Sequence, residues 1–225
     1  MQYVGGKFRI RKPLAQFLES VRDGRVFVEP FCGGCNITAE ISGSRIASDK
    51  CEDVIQMWKA ATEGWVPPSV LSENEYNSLK LTAASPLRGF AGFGCSFGGK
   101  FFGGYARSGD RNYASNARNS VLKKSQTLQG VHFMCGDYRS LSPRNCLVYC
   151  DPPYANTTQG YSSTSFNSRE FWETMRLWAK INTVLVSEYT APQYATEVWR
   201  METKTDMHTK SGKEVRMERL FEVRG

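Results

Sequence analysis

The sequence predicts an α/β protein built on a mostly parallel sheet, and three observations carry that prediction. Short apolar runs at 25–29 and 45–48 end in a glycine turn, Pro30-Phe31-Cys32-Gly33-Gly34-Cys35, and in an acid, Asp49. Apolar residues at helical spacing follow: Val54, Ile55, Met57, Trp58 and Ala61. A third run, 145–150, stops abruptly at Asp151-Pro152-Pro153-Tyr154, where two residues cannot donate to a sheet ladder.

Taken in order, 25–29 is the first strand. Asn36 caps a helix through about Ser42, which Gly43 breaks. The second strand is 45–48 and the next helix 52–61. Strand, turn, helix, strand, acid, helix is the pattern of a Rossmann-like parallel sheet. Trp65-Val66-Pro67-Pro68 then marks a boundary, and 65–129 is expected to be an inserted, irregular, basic subdomain. Ser72, with Glu75 three residues on, starts a short helix there. A glycine–aromatic stretch, 89–105, precedes Arg107, Arg111, Arg118, Lys123 and Lys124. The α/β pattern resumes at Gly130. A strand at 131–134 runs into Gly136-Asp137-Tyr138, and the strand ending at Asp151 comes next. A polar loop covers 157–166. Then follow a helix at 168–180, a strand at 183–186 and a helix at 192–198. Runs 199–208 and 213–223, flanking Ser211-Gly212, read as a closing hairpin. The body is therefore 1–64 with 130–225.

The 225 residues, 40% hydrophobic and 12% aromatic, suffice for one substantial core. A net charge of +7 favours a polyanionic partner, nucleic acid before an anionic membrane. No apolar stretch is long enough to span a bilayer, and residues 1–7 lack the apolar core of a signal peptide, so a cytoplasmic location is expected. The seven cysteines read as reduced core residues. Cys32-Gly33-Gly34-Cys35 has no second half-site, and with His132 and His208 as the only histidines no metal is expected.

Parallel strands bring their carboxyl ends to one edge. Residues 31–35, Asp49, Asp137 and 151–154 are thus expected to share a cleft. Glycines admit close backbone approach. An acid after the second strand suits ribose hydroxyls, and Asp137 could accept from an adenine amino group. That set fits an adenosine-containing cofactor. GxGxxG and GxxxxGK[ST] are both absent, which disfavours a dinucleotide or a nucleoside triphosphate.

With Tyr3-Val4-Gly5-Gly6-Lys7, Phe27-Val28-Glu29-Pro30-Phe31-Cys32-Gly33-Gly34, Ser48-Asp49, Gly136-Asp137-Tyr138 and Asp151-Pro152-Pro153-Tyr154 in this order, the chain resembles the Dam-type DNA adenine-N6 methyltransferases over nearly its whole length. The resemblance implies an S-adenosylmethionine-dependent methyltransferase sheet with an inserted DNA-recognition subdomain. It implies that Tyr3 and Lys7 contact the cofactor, and that Phe31, Gly33 and Gly34 shape its methionine pocket. Asp49 would bind the ribose and Asp137 the adenine. Asp151 would stand where cofactor and target base meet, and Glu29 joins this set. One departure is Cys35, where the family has a further small residue; a positive φ there carries a cost.

A buried adenine must be flipped out to be methylated. Tyr154 could stack on the base. Asp151 and the Pro152 carbonyl could accept the two N6 hydrogens, on a turn stiffened by Pro153. Direct attack on the methyl group then needs alignment and electrostatics, with no protein nucleophile. Cys150 should point to the opposite face of its strand. In the insert, Phe90, Phe93, Phe97 and Phe101 could form a small core. Lys100, Tyr105, Arg107, Arg111, Arg118, Lys123 and Lys124 could reach DNA, with Asn112, Asn116 and Gln126 as candidates for base edges. The expectation is a monomeric, site-specific enzyme on double-stranded DNA, at a GATC-like site, of bacterial or phage origin and of the restriction–modification kind. Two alternatives stay open: a cytosine-N4 or RNA-adenine methyltransferase on the same fold, and a catalytically silent DNA-binding homologue.

Overall fold

The structure is a computed structural model that describes residues 3, 5–153, 166–203 and 217–225 in full, and 204–209 and 212–216 as backbone. Its seven strands are β1 (Val26–Glu29), β2 (Arg45–Asp49), β3 (Val131–Cys135), β4 (Cys146–Cys150), β5 (Thr183–Ser187), β6 (Ala195–Thr209) and β7 (Gly212–Val223). They form one sheet in the order β3-β2-β1-β4-β5-β7-β6. The first five in that order are parallel, and β7 pairs antiparallel with both β5 and β6. The strand order reverses direction between β1 and β4. In a sheet of this Rossmann-like type that switch point opens a crevice at the carboxyl ends of those two strands.

All five residues of β4 are buried, as expected of a strand covered on both faces. Alternation sends Phe27, Leu147, Tyr149 and Leu185 under α1 (Arg11–Arg22), and Val28, Val148, Val184 and Val186 under α6 (Ser168–Trp178). Ala47 packs with α2 (Glu52–Thr62) and α5 (Tyr113–Thr127). Cys150 points into the α6 layer, its Sγ 3.4 Å from Met175 Sδ, as its position on the strand predicts.

Several elements differ from the sequence expectation. The helix after the glycine turn shrinks to a 3-10 turn, Thr38–Glu40. Cys35 adopts φ 49°, and the Glu29 carboxylate, not Asn36, takes the Thr38 amide. Residues 192–198 do not form a helix: β6 begins at Ala195, and the chain pairs with β7 from there. Two helices stand outside the sequence expectation. α1 has Pro13 in its first turn, where an unpaired amide makes proline tolerable. α5 buries Ala114, Ala117, Val121 and Ser125, mostly small side chains at helical spacing.

In the insert, α3 (Glu73–Leu79) has the expected capping box between Ser72 and Glu75. α4 (Pro86–Gly89) runs into a π-turn, Phe90–Gly94. Phe90 and Phe93 are buried, but they share one core with Trp58 and Met57 of α2. Phe97 is 71% exposed and belongs to no core. Among the described residues, no helix is long and apolar enough to cross a membrane.

Candidate active site

The N-terminal segment crosses the carboxyl edge of the sheet and ties its parts together. Gly6 is pressed against the glycine turn: a Cβ there would lie 2.6 Å from Asn36 Nδ2. The chain then dips so that Lys7 Nζ reaches Asp151 Oδ1 at 2.7 Å, with Glu218 Oε2 of β7 at 3.7 Å. The two side chains of the shorter pair are 7% and 18% exposed, so water screens them poorly. Burial alone would lower the Lys7 ammonium, but Asp151 and Glu218 outweigh it and the group ends up raised. It stays a cation. Glu188, just past β5 on the same edge, is also buried, and that burial raises its carboxyl.

The glycine turn is held from several sides. Gly33 N donates to Asp49 Oδ2 and Cys51 N to Asp49 Oδ1, both at 2.9 Å. Trp58 Nε1 donates to the Gly33 carbonyl at 3.0 Å. Lys124 Nζ donates to the Gly34 carbonyl at 2.5 Å and to Asn36 Oδ1 at 2.6 Å. Gly33 has φ 41°, and a Cβ on it would meet the Tyr3 ring at 2.5 Å. Tyr3 stacks in turn on Phe93 of the insert, ring centroids 4.8 Å apart.

An adenosine-containing methyl donor fits these residues. Asp49 ends β2 with backbone amides on both oxygens, an acceptor that can also take a hydroxyl. Burial raises its carboxyl, and the amides of Cys51 and Gly33 act against that. Phe31 is half-buried within an aromatic set of Tyr138, Phe166 and Phe171, a face on which a planar ring can lie. Asp137 is more exposed and is gripped by Arg139, Nε to Oδ1 at 2.7 Å and Nη2 to Oδ2 at 3.1 Å. That guanidinium lowers its carboxyl.

Glu29 sits differently. Only 3% exposed, its Oε2 accepts from both the amide and the hydroxyl of Thr38. Burial pushes this carboxyl up to about 8, against the Thr38 bonds. Its observed partners lie in the scaffold beneath the turn. Pro152 is buried and Pro153 exposed after Asp151. Tyr154, and nearly all of the 157–166 loop, lie outside the described residues.

Beside this edge lies a cleft of about 680 Å³, lined by Tyr3, Lys7, Arg9, Arg111, Asn116 and Glu218 among others. Tyr3 and Lys7 form its wall toward Asp151. Of the residues expected to face DNA, Arg111 and Asn116 line this cleft, while Lys100 and Lys123 are exposed. Arg107 is exposed but paired with Glu73. Three others are tied into the fold by their own hydrogen bonds. The Tyr105 hydroxyl donates to the Leu71 carbonyl at 2.6 Å. Asn112 caps α5 through Ser115 N and donates to Ser69 O. Lys124 lies under the glycine turn. Arg118 is half-buried, and its Nε is among the few buried side-chain nitrogens of the described residues without a hydrogen-bond partner.

Sequence reasoning missed Glu188, Glu218, Trp58 and Arg9. Glu188 had a usable signal, since it follows a parallel strand whose end had to fall on the same edge. Glu218 had none, because nothing local says which residue of an antiparallel strand faces the switch point.

A family model described as D12 class N6 adenine-specific DNA methyltransferase matches residues 3–82 and 96–218. Among solved structures, the chain is similar to a proposed RNA methyltransferase of Pyrococcus horikoshii, with 10% identity over 100% of this chain and 93% of that one and a TM-score of 0.45. It is also similar to precorrin 8W decarboxylase of Methanobacterium thermoautotrophicum, with 9% identity over 98% and 92% and a TM-score of 0.43. A third similar structure, of a proposed methyltransferase complexed with SAH, shares 10% identity over 98% and 54%, with a TM-score of 0.39. At these values the likenesses add nothing to the topology already described. No protein of curated function matches the chain.

Proposed function

The chain belongs to the D12 class N6 adenine-specific DNA methyltransferase family, and from that premise we propose that it methylates the exocyclic N6 of a flipped adenine in duplex DNA at a short specific site. It is an S-adenosylmethionine-dependent methyltransferase; the nature of the acceptor is the proposal.

The observation that carries the reading is the position of Asp151. A carboxylate ends β4 at the switch point, on a turn that two prolines stiffen, one side chain away from a cleft with Lys7, Arg9 and Arg111 on its wall. Its volume lies within the range of small-ligand pockets. The exposed Arg9 and Arg111 suit a phosphate backbone, and the Asp151 acceptor suits an amino group. When bound, S-adenosylmethionine supplies an electrophilic methyl on a sulfonium centre.

The protein's own part is alignment and charge. An N–H donor already lies on Asp151 Oδ1, the Lys7 ammonium, so the carboxylate is set to accept bonds of the kind an N6 amino group makes. A substrate amino group bonds Asp151 either beside Lys7 or by displacing it. The nitrogen becomes positive as the methyl arrives, and Asp151 offsets that charge in a site with little water. The proton then lost from nitrogen passes to solvent.

Tritiated methyl transfer to unmethylated duplex DNA, with the product nucleoside identified by mass spectrometry, tests the reading. N6-methyladenine from the wild type, and a rate about 10²-fold lower or less for Asp151→Ala, are expected. N4-methylcytosine as the product, labelling of RNA alone, or equal labelling by both proteins would sink it.

A further inference from the structure

We propose that Lys124 is a positioning residue of the cofactor turn, holding Gly33–Gly34 in its binding conformation from the helix that lines the adjoining cleft. The inference rests on the S-adenosylmethionine dependence of the enzyme and is independent of the acceptor.

The turn has reason to need holding. Gly33 and Cys35 are both left-handed, at φ 41° and 49°, and Cys35 carries a side chain with no exposed surface. A side chain disfavours that conformation, so it persists only where the surroundings over-determine it. Two donors do so here. Trp58 Nε1 fixes the Gly33 carbonyl, and the Lys124 ammonium fixes the Gly34 carbonyl together with Asn36 Oδ1. The same ammonium lies 5.4 Å from the centroid of the Trp58 ring, so the two donors form one unit.

A plain packing role explains this less well. Lys124 Nζ is largely withdrawn from water, and that burial pulls its amine below the ordinary range. Methionine or leucine would fill the same space without burying a charge. What a lysine adds is a pair of charge-assisted bonds aimed at named oxygens. Its sequence context, a basic stretch after a glycine–aromatic segment, instead suggests a phosphate contact. The geometry takes it off that surface, although Asn116, Ala117 and Ser120 of the same helix line the cleft.

Lys124→Met and Lys124→Arg in the full chain separate these roles. We expect Lys124→Met to raise both the Kd and the KM for S-adenosylmethionine by about tenfold or more, the loss of charge-assisted bonds. The kcat at saturating cofactor, the affinity for DNA and the salt dependence of DNA binding should stay near wild type. Lys124→Arg should recover part of the cofactor affinity. Unchanged cofactor affinity, or a drop in DNA affinity with a shallower salt slope, would overturn the proposal. Should Lys124→Met fail to fold, Trp58→Phe removes the partner donor together with part of a buried ring, so it is read beside Lys124→Arg; cofactor affinity unchanged in both would overturn the proposal equally. A wild type that binds no S-adenosylmethionine would refute the underlying enzyme reading instead.

Discussion

Replacing Glu29 with glutamine should make the protein less sensitive to alkaline pH. Glu29 is almost fully buried, and burial moves its carboxyl from an ordinary 4.5 up to about 8. Below pH 4.5 the folded and unfolded chains both hold the proton, and the group costs nothing. Between 4.5 and about 8 the unfolded chain has released it and the folded chain has not, so stability falls as pH rises, by about 1.4 kcal/mol per pH unit. Above about 8 the full cost is present, about 5 kcal/mol, a large part of the stability of an ordinary domain. Glutamine keeps an oxygen for the Thr38 amide and hydroxyl but cannot ionise. In urea unfolding across about pH 5 to 8, the variant should gain on the wild type by about 4 kcal/mol over the range. Taking the difference between the two proteins cancels other titrating groups, Asp49 and Glu188 among them. Two stability curves that run parallel through this window would refute the burial argument. S-adenosylmethionine affinity measured on the same samples should not change, because the observed partners of Glu29 lie in the scaffold.

Lys7→Met leaves the poorly screened Asp151 carboxylate without its nearest cation. Thermal unfolding should show a loss of about 3 kcal/mol or more, and a loss near zero would contradict the described pair. Gly33→Ala puts a methyl group 2.5 Å from the Tyr3 ring at a left-handed position. It should destabilise by about 1–3 kcal/mol and weaken the near-ultraviolet circular dichroism of the Tyr3–Phe93 stack, whereas a neutral effect would mean that Tyr3 does not cover the turn. Lys100→Ala and Arg111→Ala should each reduce the slope of log affinity for DNA against log salt by about 0.9, with little effect on cofactor binding. Slopes equal to wild type would move the DNA surface elsewhere.

The parts of the site legible in the sequence were those fixed by strand ends. Asp49 and Asp151 follow short apolar runs, and parallel pairing had to bring them to one edge. The turn at Gly33–Gly34 announced itself by residues that tolerate close approach. What stayed hidden was set by long-range contacts. α5 packs through alanines and a serine, so its hydrophobic period was faint, and without it Lys124 looked like one more surface cation. The stretch at 192–198 reads locally as a helix, but pairing with β7 outweighs that preference at Ala195 and beyond. Glu29 sat beside the glycine turn in sequence, yet the pleat of β1 and the 3-10 turn at Thr38 draw its side chain into the scaffold.

Lys7 meets Asp151 across 144 residues of chain, and Lys124 meets Gly34 across 90. No stretch of local sequence can therefore assemble the site by itself. During synthesis the glycine turn emerges long before the helix that grips it, and Lys7 must wait for β4. Closing such long loops is slow, so the site should be among the last parts of the fold to form. Methyl-transfer activity would then report completion of the whole chain, and would appear on refolding only after most of the secondary structure has returned.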